Sequence, residues 1–114
     1  MLPKNKRITV EGFTQVLEKG RSWHCPSLSL RVMKLADPAA ASKFSFFTPK
    51  KAVKLAVARN LLKRRGNAAI ERLYPSVKPG VAGVFFYKKG ADLLSAEEIA
   101  RDVALVLRNA GLIQ

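Results

Sequence analysis

The chain has 114 residues, the length of one domain, and 21 lysines and arginines against 8 aspartates and glutamates give it a net charge of +13. Such a charge disfavours the compact state by self-repulsion, so nucleic acid is the favoured partner and an anionic membrane surface the second. One cysteine and one histidine exclude an internal disulfide framework and a four-ligand zinc site. We predict a single domain over residues 1–114, cytoplasmic, with no signal peptide and no membrane span.

The N-terminal half predicts one helix followed by strands. Residues 10–19 place Phe13, Val16 and Leu17 at helical spacing before a glycine that ends the helix. Residues 26–35 alternate apolar and polar side chains, which indicates a half-buried strand. The segment KFSFFT at 43–48 predicts a second strand, paired antiparallel with the first, and the pattern leaves room for another short strand in this half.

The middle of the chain predicts a long basic helix over residues 50–73, with Pro49 just before or in its first turn. Two prolines and a glycine in residues 74–80 end it. The continuous apolar run that begins VAGVFFY at residue 81 indicates a strand buried on both faces.

The last segment predicts a helix that Ser95 and Glu98 open as a capping box and Gly111 ends. The complete order predicts an α+β fold, an α/β sandwich in which one sheet carries helices mainly on one face. A strand that arrives through a helical crossover would follow the general right-handed preference.

The basic helix carries the strongest functional signal, in the stretch VARNLLKRRGNAAIERL at 57–73. At 100° per residue, one narrow apolar stripe should face the sheet: Leu62, Gly66, Ala69 and Leu73. The adjoining face carries Arg59, Asn60, Lys63, Arg64 and Asn67. The i, i+4 cations on that face repel one another, whereas phosphates would neutralise them and release counterions. The pattern therefore favours a nucleic-acid-binding face over a solubilising surface helix.

Catalytic groups are sparse. The eight carboxylates are scattered along the sequence, whereas a two-metal nuclease site needs several of them together to hold Mg²⁺. His24 lacks a second acid–base candidate, and Cys25 is expected to be a small apolar residue rather than a nucleophile. We therefore predict that the polypeptide alone catalyses nothing.

The segment RNLLKRR at 59–65, preceded by KKAVKLAVA, resembles the signature of the bacterial ribonuclease P protein family, roughly R-N-R-x-K-R-x-x-R. Arg59, Asn60, Lys63 and Arg64 match it. Leu61 and Asn67 stand where the family has arginine. The opening LPKNKRITVEGFTQVLEKGRS, the strands SLSLRV and FSFFTPKK and the closing LVLRNAGLI are also similar to the family in order and spacing.

The resemblance implies a fold like domain 2 of ribosomal protein S5, with a left-handed βαβ crossover at the basic helix, against the general preference. It implies a non-catalytic subunit of an endoribonuclease that removes the 5′ leader of precursor tRNA together with a catalytic RNA. The implied partners are that RNA and precursor tRNA, with no obligatory protein partner. Mg²⁺ would be held mainly by RNA and substrate.

The resemblance also implies two groups of site residues. The RNA-binding group is Lys50, Lys51, Lys54, Arg59, Asn60, Lys63, Arg64, Arg65 and Asn67. The leader-binding cleft would contain Phe13, Arg31, and Phe46 or Phe47. Strand alternation turns one of these two phenylalanines inward and the other outward. The sequence leaves open that Phe13 is instead a core residue, packed with Val16 and Leu17 on the buried side of its helix. A structural RNA-binding protein, such as a ribosomal component, and a DNA-binding domain are the alternatives that charge and size leave open.

Overall fold

The computed structural model describes residues 8–114. Three helices and four strands follow one another in this part of the chain, bounded as α1 (Val10–Lys19), β1 (Arg21–His24), β2 (Leu28–Lys34), β3 (Lys43–Phe47), α2 (Ala56–Leu73), β4 (Val81–Tyr87) and α3 (Ala96–Asn109). Short 3₁₀ turns lie at Tyr74–Ser76 and Ala91–Leu93. The predicted α+β order is confirmed, and β1 is the additional short strand of the N-terminal half.

The four strands form one sheet in the order β1-β2-β4-β3. β2 is antiparallel to both β1 and β4, while β3 is parallel to β4. The predicted antiparallel pairing of residues 43–48 with β2 is therefore wrong, because β4 lies between those two strands. β4 is almost entirely buried and takes the central position that its apolar run favours. The parallel β3–β4 pair is joined through α2, and this is the βαβ unit where the resemblance places the unusual crossover.

The helices cover the two faces of the sheet unequally, as predicted. α2 and α3 pack on one face, where Leu30 and Phe85 of the sheet meet Leu62 of α2 and Ile99 of α3 in the main core. α1 covers the other face through Val16, which packs on β4 in a smaller cluster. We call these two surfaces of the sheet the core face and the α1 face.

The predicted helix 50–73 is wrong at its start, since α2 begins at Ala56. The guanidinium of Arg59 donates hydrogen bonds to the carbonyl oxygens of Val53, at 3.0 Å, and Lys54, at 2.7 Å. These bonds hold the preceding segment in an irregular course, and no side chain caps the helix N-terminus. Pro49 consequently precedes a separate turn, in which its carbonyl oxygen accepts from the N–H of Ala52, instead of the helix.

α2 packs closely against the sheet because it has no side chain at Gly66. A Cβ there would lie 2.5 Å from the ring of Phe46 and 2.7 Å from the hydroxyl of Tyr87. That hydroxyl donates to the carbonyl oxygen of Leu62 at 2.9 Å, which fixes the helix to β4. Burial also raises the pKa of Tyr87, so its phenol remains a neutral donor. The predicted stripe is buried except for half-buried Leu73.

α3 begins as predicted, with both hydrogen bonds of the capping box between Ser95 and Glu98. Its C-terminal end turns at Gly111, whose φ of 76° lies in the left-handed region. Within residues 8–114, no helix combines the length and the apolar character that crossing a membrane requires.

Candidate nucleic-acid interface

A cluster of three phenylalanines lies on the α1 face. The strand register places Phe47 of β3 beside Phe86 of β4. Phe13 of α1 lies over both, with ring centroids 5.9 Å from Phe47 and 6.1 Å from Phe86. Phe47 is 45% exposed. This aromatic cluster (Phe13, Phe47 and Phe86) offers partly exposed π faces on which an unpaired base can stack.

Phe46 has the opposite orientation. It points to the core face, is 7% exposed, and stacks on Phe85 with ring centroids 4.4 Å apart. Of the two candidates that the sequence could not separate, Phe47 is therefore the one on the α1 face. Phe46 holds α2 against the sheet.

A groove of about 540 Å³ runs around the β3 edge of the sheet, between α1 and α2. The chain enters α1 along this edge, where the backbone N–H of Ile8 donates to Ser45 Oγ at 3.3 Å. Phe13 and Phe47 line the groove from the α1 side, and Lys63 and Asn67 line it from α2. Phe46, although mostly buried on the core face, also lines the groove, so both predicted phenylalanines border it. We call it the edge groove. It joins the aromatic cluster directly to the basic helix.

The basic residues of α2 are distributed across the solvent-exposed half of the helix. Lys63 borders the edge groove, whereas Arg64 lines a different groove of about 250 Å³ between α2 and α3, together with Arg65 and Arg72. The basic surface of α2 therefore extends from the edge groove to the groove between α2 and α3, with Lys63 and Arg64 about 100° apart around the helix. Across residues 8–114, neither Lys63 nor Arg64 has a carboxylate or hydrogen-bond partner.

Two arginines of the predicted RNA-binding group have contacts within the chain. Arg59 uses one guanidinium nitrogen, Nη1, for the two carbonyl oxygens before α2, so its other donors remain available. Arg65 donates from Nη1 to the carbonyl oxygen of Leu94 at 2.8 Å, which ties α2 to the turn before α3. Both side chains are half-buried. They stabilise the fold and still border the exposed basic surface.

The remaining predicted RNA-binding residues differ in exposure. Asn60 is exposed on α2, and three exposed lysines lie in the segment before it: Lys50, Lys51 and Lys54. Asn67 is only 8% exposed, so its predicted position on the exposed basic face is wrong. Its amide lines the edge groove instead, since this flank of α2 turns toward β3.

Arg31 lies on the α1 face but outside the edge groove. It pairs across β2–β4 with Val84, two strands from β3. Its side chain passes beneath Gly20 at the end of α1, where an added Cβ would lie 2.8 Å from Arg31 Cγ. Its Nε is buried without a partner among the described residues.

Sequence reasoning missed Phe86 and misplaced Leu17. A strand with apolar residues on both faces gives no sign that one of them borders a ligand surface, so Phe86 could not be singled out. Leu17 was predicted to belong to the buried stripe of α1 but is 39% exposed. It lies one turn beyond Phe13, on the part of α1 that the sheet does not cover.

The two candidates for acid–base or nucleophilic chemistry differ in exposure. Cys25 is buried, which raises the pKa of its thiol, and its Sγ donates to the carbonyl oxygen of Leu28 at 3.2 Å. His24 is exposed on the short strand β1. The part of the chain that the structure describes contains no group of three or more His, Cys, Asp or Glu residues that could hold a metal ion.

Comparisons with known proteins all lead to one family. The family model described as Ribonuclease P matches residues 2–111. The ribonuclease P protein component of Synechococcus elongatus is 33% identical over 116 aligned positions, which cover 98% of this chain and 95% of that protein. The corresponding protein of Microcystis aeruginosa is 31% identical over 105 positions, covering 90% and 88%.

Solved structures show the same fold. The RNase P protein of Staphylococcus aureus matches with a TM-score of 0.85 at 18% identity, covering 97% of this chain and all of that one. The RNase P protein of Thermotoga maritima matches with a TM-score of 0.79 at 17% identity, covering 90% and 96%. Because the family model and the relatives span nearly the whole sequence, the chain belongs to the ribonuclease P protein family, the non-catalytic, RNA-associated component of an endoribonuclease that acts in tRNA processing.

Proposed function

We propose that this chain binds the catalytic RNA of ribonuclease P with the exposed half of α2 and the 5′ leader of precursor tRNA with the α1 face of the sheet. The observation that carries this proposal is the edge groove. There Lys63 of the basic helix and Phe47 of the aromatic cluster line one cavity. A single RNA assembly can therefore contact both surfaces at once.

The catalytic RNA would neutralise α2 and the segment before it. The contacts come from Lys50, Lys51, Lys54, Arg59, Asn60, Lys63, Arg64 and Arg65, with Asn67 at the groove. Each cation that replaces a counterion on a phosphate adds to the salt dependence of binding, with a slope of about −0.9 per contact on a duplex. Asparagine amides can donate to and accept from riboses or base edges.

The leader would cross the aromatic cluster as an unpaired strand. Stacking on Phe13 or Phe47 contributes about 1–3 kcal/mol per base and tolerates any base, as a subunit that handles many leaders requires. Arg31, on the same sheet face, would approach a leader phosphate. The leader is held in this way while the cleavage site remains with the RNA.

Mg²⁺ at the cleavage site would be held mainly by RNA and substrate. Mg²⁺ prefers oxygen ligands, chiefly carboxylates and phosphates, and the described residues bring no cluster of carboxylates together. In such reactions the ion stabilises charge on the phosphate and activates water. The protein's contribution would be to position the leader and screen phosphate repulsion, which lowers the Mg²⁺ concentration that the RNA needs.

Reconstitution with the bacterial catalytic RNA tests the proposal. Leader removal is measured against Mg²⁺ concentration with and without the protein, and we expect the protein to shift the midpoint to lower Mg²⁺. A variant carrying Lys63→Ala and Arg64→Ala should lose much of this shift. The charge-matched control, Lys89→Ala with Arg101→Ala, should keep it. A protein that binds the RNA but leaves the midpoint unchanged would be a structural RNA-binding protein, and the proposal would be wrong.

A further inference from the structure

We propose that a second groove, at the β1 edge of the sheet, binds an unpaired nucleotide of an RNA chain. This site goes beyond the proposed function, because it uses neither α2 nor the aromatic cluster. It occupies about 580 Å³, within the ~300–1,000 Å³ range of sites that bind small molecules. We call it the tryptophan groove, after Trp23.

The groove exists because β1 is shorter than its neighbour. Arg21 at the start of β1 pairs with Val32, so β2 continues for two residues without a partner on that side. The end of α1 and the segment after α3 flank this gap, and Leu112 helps to line it. An apolar surface is consequently left open at the corner of the sheet.

Three cations border the groove from three different elements. Lys19 is in the last turn of α1, Arg21 begins β1, and Lys34 ends β2. All three are exposed, and no aspartate or glutamate lines the groove with them. Like charges around one groove raise the energy of the free protein, and a phosphate bound among them lowers it.

Trp23 supplies a surface for the base. Its side chain is half-buried, lies on the core face opposite Leu30, and packs against the main core while it lines the groove. A ring supported in this way loses little conformational freedom when a ligand binds. Base stacking on an aromatic ring contributes about 1–3 kcal/mol. Cations around a fixed aromatic ring are the combination that single-stranded nucleic-acid sites use.

The tryptophan groove is separate from the edge groove. β1 and β3 are the two outer strands of the sheet, three strand spacings or about 14 Å apart. Trp23 also lies on the core face, whereas the aromatic cluster lies on the α1 face. One nucleotide cannot contact both sites, so each can be tested without the other.

The chain offers a direct reporter, since Trp23 is its only tryptophan. We expect its fluorescence to be quenched on titration with a short single-stranded oligoribonucleotide at low salt. An abasic strand of the same length, which has the charge but no base to stack, should quench much less. Equal quenching by both strands, or no quenching by either, would overturn the assignment of a nucleotide site.

Variants locate the site. Arg21→Ala with Lys34→Ala removes two exposed cations. The slope of log K against log salt should become shallower by about 1.4, or about 0.7 for each single-strand phosphate contact that is lost. The charge-matched control, Lys89→Ala with Arg101→Ala, should bind like the natural protein. Phe47→Leu should leave the quenching unchanged, because it alters only the leader surface. Equal weakening by both double variants would show general charge attraction and contradict the proposal.

The source of the nucleotide is found by comparing two RNAs. The Arg21/Lys34 double variant and its control are titrated separately with the catalytic RNA and with precursor tRNA. If the Arg21/Lys34 double variant binds one RNA more weakly than the control variant does, that RNA is the source of the nucleotide. If the double variant binds both RNAs as tightly as the control does, the proposal would be overturned. If the tryptophan groove does not bind RNA, the natural protein should still shift the Mg²⁺ midpoint of the reconstituted enzyme. A refuted nucleotide site is therefore distinguishable from a refuted proposed function.

Discussion

Phe46 and Phe47 are adjacent in sequence, and the same substitution should affect them in opposite ways. Phe46→Leu removes a ring that is 7% exposed and stacked on Phe85. Loss of the aromatic pair and part of a buried side chain should lower the free energy of unfolding by about 1–3 kcal/mol. Phe47→Leu changes a side chain that is 45% exposed, so the loss should stay below about 1 kcal/mol.

Leader affinity should show the reverse order. Leucine has no π face, so Phe47→Leu should remove the stacking contribution of about 1–3 kcal/mol, roughly a 5- to 150-fold loss in affinity. The assay compares reconstituted enzyme binding to precursor tRNA with a long leader and with a leader truncated next to the cleavage site. The ratio isolates the leader contacts. Thermal unfolding of each free variant is the control. If Phe46→Leu weakened leader binding more than Phe47→Leu in equally folded proteins, the assignment of faces would be refuted.

Three further predictions concern the stability of the free protein. Gly66→Ala gains about 1 kcal/mol of helix propensity but places a methyl 2.5 Å from Phe46 and 2.7 Å from the Tyr87 hydroxyl, so thermal unfolding should show a net loss; a rise in Tm would show that α2 can move away. Ser95→Ala should lower stability at neutral pH by about 1 kcal/mol. Because the Ser95 backbone and side chain lower the pKa of Glu98, the bonds to its carboxylate are present above the unfolded pKa and are lost as pH falls through the folded one. In Ser95→Ala the backbone N–H of residue 95 still reaches Glu98, and the lost bond from the Glu98 N–H to Ser95 Oγ does not titrate, so most of the stability difference should persist in acid. A difference that vanished completely in acid would show that the bond from the Glu98 N–H to Ser95 Oγ is not its cause. Sulfate should raise Tm more than chloride at equal ionic strength, and a melt indifferent to the anion would contradict the role of self-repulsion.

The elements of the fold could be predicted from local patterns, but their pairing could not. Alternation identified β2 and the capping box identified α3, since each depends on residues close in sequence. Strand pairing depends on which strand is apolar enough to be buried on both faces. That strand is β4, which lies between β2 and β3 in the sheet. The start of α2 was misplaced because the bonds from Arg59 to two carbonyl oxygens leave no pattern in the sequence.

The candidate site was predictable in composition but not in arrangement. Charge segregation and the motif identified the basic helix. Only the packing of α2 on β3 and α3 could show that Asn67 turns into the edge groove while Arg64 borders the groove between α2 and α3. The choice between Phe46 and Phe47 required the strand register. The register also added Phe86 to the leader surface.

The proposed function depends most on neutralisation of the exposed half of α2 by a folded RNA. The most direct test is the slope of log K against log salt for the catalytic RNA, measured for the natural protein and for Lys63→Ala with Arg64→Ala. We predict that the slope becomes shallower by about 2 in the double variant and does not change in the Lys89→Ala, Arg101→Ala control. A double variant whose slope equals that of the natural protein would show that α2 does not face the RNA.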